Sequence, residues 1–311
     1  MRPAMIFPGQ GSQFPGMGKD LVGEFRLAAK MFEEADDTLG FSISKLCFEG
    51  ESEVLTETRN AQPAILLHSI VVASILREEA GIEPSIAAGH SLGEYSALVA
   101  SGVMKGMDAL QIVRKRGELM FEAGLKQPGT MAAIIGLDRE NVEKACGVAS
   151  TDGMVAVVAN INSPGQIVIS GHIDAVVKAM ESAQEGGAKK TVRLNVSGAF
   201  HSPLVAPAQD ELVEYIRSFE LGDAETDVVC NADARAIRKR EDIIDALSRQ
   251  LTSPVLWSDS MNVMCEAFEG LIVESGPGKV LSGLMRRIDR SRETVCAGTA
   301  GQVSDLIGLS G

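Results

Sequence analysis

The chain has 311 residues, 45% of them hydrophobic, so it can bury a large core as one α/β enzyme domain or two unequal ones. Asp and Glu number 42 against 29 Lys and Arg, and the net charge of −13 argues against general affinity for nucleic acid or anionic membranes. Five cysteines without short paired spacing predict free thiols in a reducing cytoplasm, with neither disulfides nor a zinc site.

The sequence predicts neither a signal peptide nor a membrane-spanning segment. The first residues reach glycines too soon to leave room for the apolar region of a signal peptide. The longest apolar stretch, residues 64–76, contains a histidine and two serines and is shorter than the roughly 20 residues of a membrane span. We therefore expect a cytoplasmic protein that does not cross a membrane.

Short apolar runs that end at glycines predict the strands of a buried sheet. Residues 4–7 lead into Pro8-Gly9, and residues 85–88 lead into Gly89. Strands that alternate with helices predict a mostly parallel sheet. Helical periodicity is present in residues 18–39, 62–79, 92–101 and 108–123.

From residue 131 the pattern changes to the order β-α-β-β-α-β, which is ferredoxin-like. We therefore predict an α/β fold in which a hydrolase-like parallel-sheet subdomain, residues 1–127 and 197–311, is interrupted by a small ferredoxin-like subdomain at residues 128–196. The strands of the small subdomain are predicted at 131–137, 155–160, 166–170 and 189–196, with helices at 139–146 and 173–185. The large one resumes with strands at 228–231 and 270–273 and helices at 240–250, 257–266 and 280–290.

A nucleophile is predicted at Ser91 in the segment Gly89-His90-Ser91-Leu92-Gly93. The GxSxG pattern lies between a predicted strand and a predicted helix, as a nucleophile elbow does. Its glycines let the backbone turn sharply and lift the hydroxyl above the sheet edge, where the N-terminus of the next helix favours negative charge. A bare GxSxG also occurs by chance, so the flanking strand and helix carry the prediction.

A serine hydroxyl needs a base, and the chain has four histidines. His68 falls in a buried helical pattern, His90 lies inside the elbow, and His172 follows a strand where it can cap a helix; each suits a structural role. His201 follows a predicted strand and precedes Pro203, in a loop that can carry catalysis. We therefore predict His201 as the base, with a packed loop histidine as the alternative.

The predicted oxyanion hole consists of two backbone amides. The first comes from Leu92, the residue after the nucleophile, and the second from Gln10 in the loop after the first strand. Gly9 and Gly11 let that loop approach a ligand closely. A dinucleotide-binding loop would need its third glycine at Phe14, so that reading fails.

A basic run and a glycine-rich segment, each taken alone, predict ordinary structural features. Arg114, Lys115 and Arg116 form a basic run that, taken alone, is typical of a solvated helix face. The segment 276–279, Gly-Pro-Gly-Lys, lacks the further residues of a Walker loop and predicts a turn between strand and helix.

Seven segments taken in order, between about residue 4 and about residue 290, resemble the malonyl-CoA:acyl-carrier-protein transacylases. They are Phe7-Pro8-Gly9-Gln10-Gly11-Ser12-Gln13, Gln62-Pro63-Ala64, Gly89-His90-Ser91-Leu92-Gly93-Glu94-Tyr95, Arg116-Gly117, Asn160-Ile161-Asn162-Ser163-Pro164-Gly165-Gln166, Ala199-Phe200-His201-Ser202 and Gly276-Pro277-Gly278-Lys279. Seven segments in one order are far more specific than any one of them.

This resemblance implies the same nucleophile, Ser91, the same base, His201, and the same oxyanion amides, those of Gln10 and Leu92. In the family a backbone carbonyl orients the histidine, and Gln250 lies in the matching segment, so no third acidic residue is assigned.

The resemblance also assigns an acyl pocket. It implies that Arg116 binds the free malonyl carboxylate, with Gln62 and Asn160 nearby. The bulky Phe200 would crowd out an α-methyl branch, although one methyl group is worth only ~1–3 kcal/mol of discrimination.

The implied reaction moves a malonyl group from malonyl-CoA to the phosphopantetheine thiol of acyl carrier protein by a ping-pong route through a Ser91 ester. It needs no metal or redox cofactor, and the protein is expected to be a monomer. Two alternatives stay open: a serine hydrolase or thioesterase, in which water takes the second step, and a non-catalytic carrier-protein scaffold.

The carrier of this family is acidic, and so is this chain, so docking requires a local basic cluster. Lys279, Arg286 and Arg287, near the Gly-Pro-Gly turn, form such a cluster, and a solvated helix face is the alternative.

Overall fold

The computed structural model describes residues 1–310, and the bounds of its strands and helices follow. Ten strands, β1 to β10, are Ala4–Phe7, Ile86–Gly89, Gly129–Ile135, Ala156–Ser163, Gln166–His172, Lys190–Arg193, Asp227–Val229, Ala236–Ile237, Ile272–Ser275 and Thr294–Ala297. Fourteen α-helices, α1 to α14, are Lys19–Glu24, Arg26–Leu39, Ile43–Glu49, Ser52–Thr56, Thr58–Ala80, Gly93–Ala100, Gly106–Lys126, Arg139–Ala149, Ile173–Glu185, Gln209–Arg217, Arg240–Gln250, Trp257–Ala267, Val280–Ile288 and Ala300–Ser310. A 3₁₀ helix, Pro203–Ala208, precedes α10.

The larger sheet has six strands in the order β10-β9-β1-β2-β7-β8. Five run parallel, and β8 is antiparallel to β7 at one edge. All four residues of β1 are buried and apolar, as expected of a central parallel strand covered on both faces. The parallel α/β sheet predicted from the sequence is confirmed.

Helix α5 packs on this sheet and on α7, and the two helices form much of the main core. Helix α5 is 23 residues long and buried along most of its length. Within residues 1–310, no helix is long and apolar enough to cross a lipid bilayer.

The smaller sheet has four antiparallel strands in the order β4-β5-β3-β6, with α8 and α9 packed on it around a separate hydrophobic cluster. Its chain order, β3-α8-β4-β5-α9-β6, is the predicted β-α-β-β-α-β order. These elements lie within residues 128–196, and the division of the chain at residues 127/128 and 196/197 stays a prediction.

Two features differ from the sequence prediction. The single helix predicted over 18–39 is two helices, because Phe25 is extended (φ −114°, ψ 117°) and separates α1 from α2. Because Phe25 packs against the main core, the helical spacing of apolar residues continues through it. The sequence pattern therefore gives no sign of the break. Strand β10 and helix α14 lie beyond Arg292, where the sequence supported no assignment, and β10 completes one edge of the larger sheet.

Close backbone approach explains the glycines at the end of β2. A Cβ on Gly89 would lie 1.9 Å from the backbone carbon of Gly93, and a Cβ on Gly93 would lie 2.1 Å from the carbonyl oxygen of Phe7. The turn after β2 therefore packs directly against the end of β1, and only glycine fits at both positions.

We expect Gly89→Ala to destabilise the protein by about 3 kcal/mol or more, because the clash is with backbone and no side chain can move away. Gly147→Ala is the matched control: it lies on an exposed face of α8 with no atom within 4 Å of a new Cβ, and should stabilise by up to about 1 kcal/mol. Urea denaturation measures both. Equal stability of the two variants would contradict the packing described.

Candidate active site

A cavity of about 320 Å³ lies between the two sheets. Gln10 and Ser91 reach it from the loops at the carboxyl ends of β1 and β2, the usual location of sites in parallel α/β sheets. Met131 and Asn160 line the opposite wall from strands of the smaller sheet. Arg116, on α7, completes the wall beside Ser91.

Ser91 occupies the strained turn expected of a nucleophile elbow, with φ at 52°. A left-handed conformation costs a non-glycine residue roughly 1–2 kcal/mol, so other contacts have to maintain it. The Ser91 amide donates to Oδ1 of Asn231 at 2.6 Å, and Nδ2 of Asn231 donates to the Gly89 carbonyl at 2.7 Å. One side chain from the end of the neighbouring strand therefore clamps both sides of the turn.

The Ser91 hydroxyl faces His201. Its Oγ lies 2.8 Å from Nε2, while Nδ1 lies 3.0 Å from the Gln250 carbonyl and 3.2 Å from the Ser253 carbonyl. Carbonyls only accept hydrogen bonds, so Nδ1 carries the proton and Nε2 presents its lone pair to the hydroxyl. The imidazole is thus in the tautomer that can accept a proton from Ser91, without a carboxylate behind it.

Burial keeps His201 neutral. Burial, and after it the nearby positive charge of Arg116, together lower the pKa of this imidazole from 6.5 to about 3. The free base is therefore the form present at neutral pH.

Arg116 is fully buried beside the hydroxyl. Its Nη2 donates to Ser91 Oγ at 3.1 Å and to Gln250 Oε1 at 3.0 Å, and its Nη1 donates to Gln62 Oε1 at 2.7 Å. All three acceptors are neutral, and Nε finds no acceptor within residues 1–310. Burial lowers the pKa of Arg116 from its ordinary value, but a guanidinium keeps its charge at neutral pH.

The amides of Gln10 and Leu92 are free to bind a ligand, because neither donates to an acceptor anywhere in residues 1–310. Both residues line the cavity on either side of Ser91. The side chain of Gln10 donates to Oγ1 of Thr58 at 3.1 Å, which fixes its loop over the site. Two unpaired amides beside a hydroxyl are suited to bind a developing oxyanion.

The remaining predicted residues divide into two groups. Asn160 and Phe200 are buried and line the cavity with the residues above. Lys279, Arg286 and Arg287 are exposed on α13 and just before it, and in the described part of the chain none of them lines this cavity.

Sequence reasoning missed a buried network behind the elbow. Glu94 accepts from the Gln250 side chain at 2.7 Å and from the Asn231 amide at 3.2 Å, and Gln250 also donates to the Ser91 carbonyl at 3.0 Å. Glu94 lies in the elbow segment that resembles the family, and Asn231 follows β7, the strand beside β2. The position of Asn231 at the end of a strand was the only feature of the sequence that pointed to a role at the site.

Comparison with known proteins shows which family the chain belongs to. The acyl transferase domain family matches residues 4–292. A malonyl CoA-acyl carrier protein transacylase from Bacillus subtilis is 46% identical over 292 residues, 94% of this chain and 92% of the relative. One from Staphylococcus aureus is 42% identical over 289 residues, 93% of each.

Solved structures are also similar to this chain. An acyl carrier protein S-malonyltransferase from Vibrio cholerae has a TM-score of 0.93 at 40% identity, covering 98% of this chain and 100% of that one. A malonyl-transacylase in complex with its type II PKS acyl-carrier protein has a TM-score of 0.95 at 38% identity, covering 99% and 100%. The chain therefore belongs to the acyl transferase family, among the malonyl CoA-acyl carrier protein transacylases, as the sequence resemblance indicated.

The low pKa of His201 makes a prediction for NMR titration. A histidine with its ordinary pKa is half protonated at pH 6.5, whereas the His201 ring should stay neutral from pH 8 to pH 5 because protonation begins only near its pKa of about 3. Arg116→Ala should raise this pKa, since a repelling charge is removed, while burial still holds it below 6.5. The ring signals of His201 can be assigned as those that disappear in His201→Ala, and their chemical shifts are then followed as a function of pH. A midpoint near 6.5 in the unmodified protein would contradict the burial argument.

Proposed function

We propose that this protein transfers a malonyl group from malonyl-CoA to the phosphopantetheine thiol of an acyl carrier protein through an ester on Ser91. The observation that carries the proposal is the fully buried guanidinium of Arg116, 3.1 Å from Ser91 Oγ and hydrogen-bonded only to neutral groups. An acyl group with a carboxylate close to its carbonyl supplies an anion in direct contact with this guanidinium. The names of the relatives specify malonyl-CoA and acyl carrier protein.

In the first half-reaction, Nε2 of His201 takes the hydroxyl proton as Ser91 Oγ attacks the thioester carbonyl. The amides of Gln10 and Leu92 stabilise the oxyanion. The tetrahedral intermediate then collapses, the C–S bond breaks, and coenzyme A leaves as a thiol with the proton from His201.

The second half-reaction reverses these steps with a different thiol. The carrier's phosphopantetheine thiol gives its proton to His201 and attacks the malonyl ester. Breaking the ester bond returns the proton to Ser91. The product is malonyl-carrier, and the enzyme regains its starting state.

The free carboxylate of the malonyl group pairs with Arg116 under this proposal. A planar guanidinium can give a carboxylate two parallel hydrogen bonds in a site where water is excluded. Gln62 supports the guanidinium from the α5 side at 2.7 Å. Asn160 and Phe200 form walls of the acyl pocket, and the ring of Phe200 leaves little room for a branch at the α-carbon.

The carbonyl of Gln250 is proposed to orient His201 in place of a carboxylate. A neutral acceptor suits this site, because it orients the imidazole without adding a further negative charge close to the malonyl carboxylate. The 3.0 Å contact to Nδ1 supports this role.

The setting of the reaction is part of the proposal. Lys279, Arg286 and Arg287 present three exposed positive charges that can attract an acidic carrier to a chain whose net charge is −13. We further propose that the protein acts as a monomer in the cytoplasm. No metal or redox cofactor is invoked, because ester exchange between serine and thiols requires none.

The test is intact-mass measurement after mixing with malonyl-CoA. Ser91 should gain the mass of one malonyl group, Ser91→Ala should gain none, and His201→Ala should acylate ~10²–10⁴ times more slowly because it lacks the general base. On addition of holo acyl carrier protein, the malonyl group should pass to the carrier faster than malonate appears. Malonate release that keeps pace with transfer would indicate a hydrolase instead, and a chain that never acquires the ester would be a non-catalytic scaffold.

A further inference from the structure

One ionisable group at the site has no part in the reaction above. Glu94, in the first turn of α6, is 2% exposed. Its Oε2 accepts from Nε2 of Gln250 at 2.7 Å and from the backbone amide of Asn231 at 3.2 Å. A buried carboxylate is costly to hold ionised, so its presence here needs a counter-charge.

Gln250 connects Glu94 to that counter-charge. Its Oε1 accepts from Nη2 of Arg116 at 3.0 Å, while its Nε2 donates to Glu94. An ionised carboxylate has no proton to donate and a guanidinium has no lone pair to accept, so the amide can point only this way. A single side-chain amide therefore separates the negative and the positive charge.

We propose that Glu94 is the resident counter-charge of Arg116: with the acyl pocket empty it is ionised above neutral pH, and this ionised form takes up one proton from solvent when a malonyl carboxylate pairs with that guanidinium. This inference rests on the function proposed above. It makes Glu94 a positioning residue, since it acts through Arg116 and Gln250 and does not touch the substrate.

The argument is one of charge balance in a dry site. With the pocket empty, one positive and one negative charge face each other across the Gln250 amide. A malonyl group adds a second negative charge in direct contact with Arg116, and like charges that close raise each other's pKa. The malonyl carboxylate has the guanidinium as its partner, so Glu94 is the group that is neutralised.

The surroundings of Glu94 favour this outcome. Burial raises the pKa of Glu94 more than the hydrogen bonds and the charge of Arg116 lower it, and the net result is a pKa of about 7. The other ionisable groups that face it are Tyr95 on the same helix, Cys230 at the end of β7, and Asp233 in the following turn. Burial raises the pKa of Tyr95 and of Cys230 to about 12, so both are neutral, and Asp233 adds negative charge. Arg116 is the one cation among these groups.

The hydrogen bonds also leave room for the proton. Both bonds to Glu94 fall on Oε2, so a proton can occupy Oε1 while Asn231 and Gln250 stay in place. Protonation therefore changes the charge behind the site without disturbing the turn that holds Ser91.

Proton uptake can be measured in Ser91→Ala, which binds the thioesters without reacting. Calorimetry at pH 7 in two buffers of different ionisation enthalpy should show uptake of a fraction of a proton with malonyl-CoA and none with acetyl-CoA. Affinity for malonyl-CoA should fall as pH rises above 7, by at most tenfold per pH unit, and affinity for acetyl-CoA should not follow. The phosphates of coenzyme A are common to both ligands, so their ionisation contributes equally to both measurements and cancels in the comparison.

Two matched variants, each combined with Ser91→Ala, show whether Glu94 is the group that takes up the proton. Glu94→Gln can keep both accepted hydrogen bonds, and should abolish the uptake and the malonyl-specific pH slope. Glu274→Gln is the control, because Glu274 is another fully buried carboxylate, hydrogen-bonded to the amides at the start of α13. This variant should keep both the proton uptake and the malonyl-specific pH slope.

Equal uptake with both thioesters, or uptake that survives Glu94→Gln, would overturn the inference. If Glu94→Gln does not fold, a flat pH dependence for malonyl-CoA in Ser91→Ala alone would overturn it. The proposed function fails separately, through absence of the malonyl ester on unaltered Ser91.

Discussion

A guanidinium in a protein interior needs hydrogen bonds and a compensating charge, because an unpaired buried ion costs several kcal/mol. Arg116 obtains three hydrogen bonds from Gln62, Ser91 and Gln250, which come from α5, the elbow after β2, and the end of α11. Those distant parts of the chain are thereby held around one positive charge. In the proposed function the carboxylate of the substrate binds to this charge, and the fold supplies the binding site before the substrate arrives.

The same network holds the reacting groups before substrate binds. Ser91 and His201 both have left-handed backbones, with φ of 52° and 56°. Such strain persists only where the surroundings impose it. Asn231 clamps the turn of Ser91, and the carbonyls of Gln250 and Ser253 fix the ring of His201. In the proposed reaction, Ser91 and His201 therefore need little reorganisation to begin proton transfer.

Local signals in the sequence predicted what local interactions determine. The bounds predicted for strand β1 and helices α9 and α11 agree with the structure to the residue, because their apolar patterns are local in the sequence. The elbow could be predicted from the GxSxG pattern together with the strand and the helix predicted on either side of it. The break at Phe25, strand β10 and the Glu94–Gln250 contact could not, because they depend on packing between residues distant in sequence or on one extended residue.

Arg116 shows the limit most clearly. In the sequence it belongs to a basic run typical of a solvated face, and only the family resemblance gave it a role. Residues two apart on a helix point to opposite sides, so Arg114 reaches Glu118 at 2.6 Å, part-buried, while Arg116 turns into the cavity. Neither spacing nor composition distinguishes the two arginines before the helix is packed.

The most direct test of the account is the ratio of malonyl to acetyl ester formed on Ser91 when both thioesters compete. Arg116→Ala should lower malonyl acylation by ~10²–10³-fold, because loss of a buried charge partner typically costs ~3–5 kcal/mol. Acetyl acylation should change little or rise, so the ratio should collapse, while Arg114→Ala should leave it unchanged. A ratio unaffected by Arg116→Ala, or shifted by Arg114→Ala instead, would contradict the central claim that the buried guanidinium recognises the acyl carboxylate.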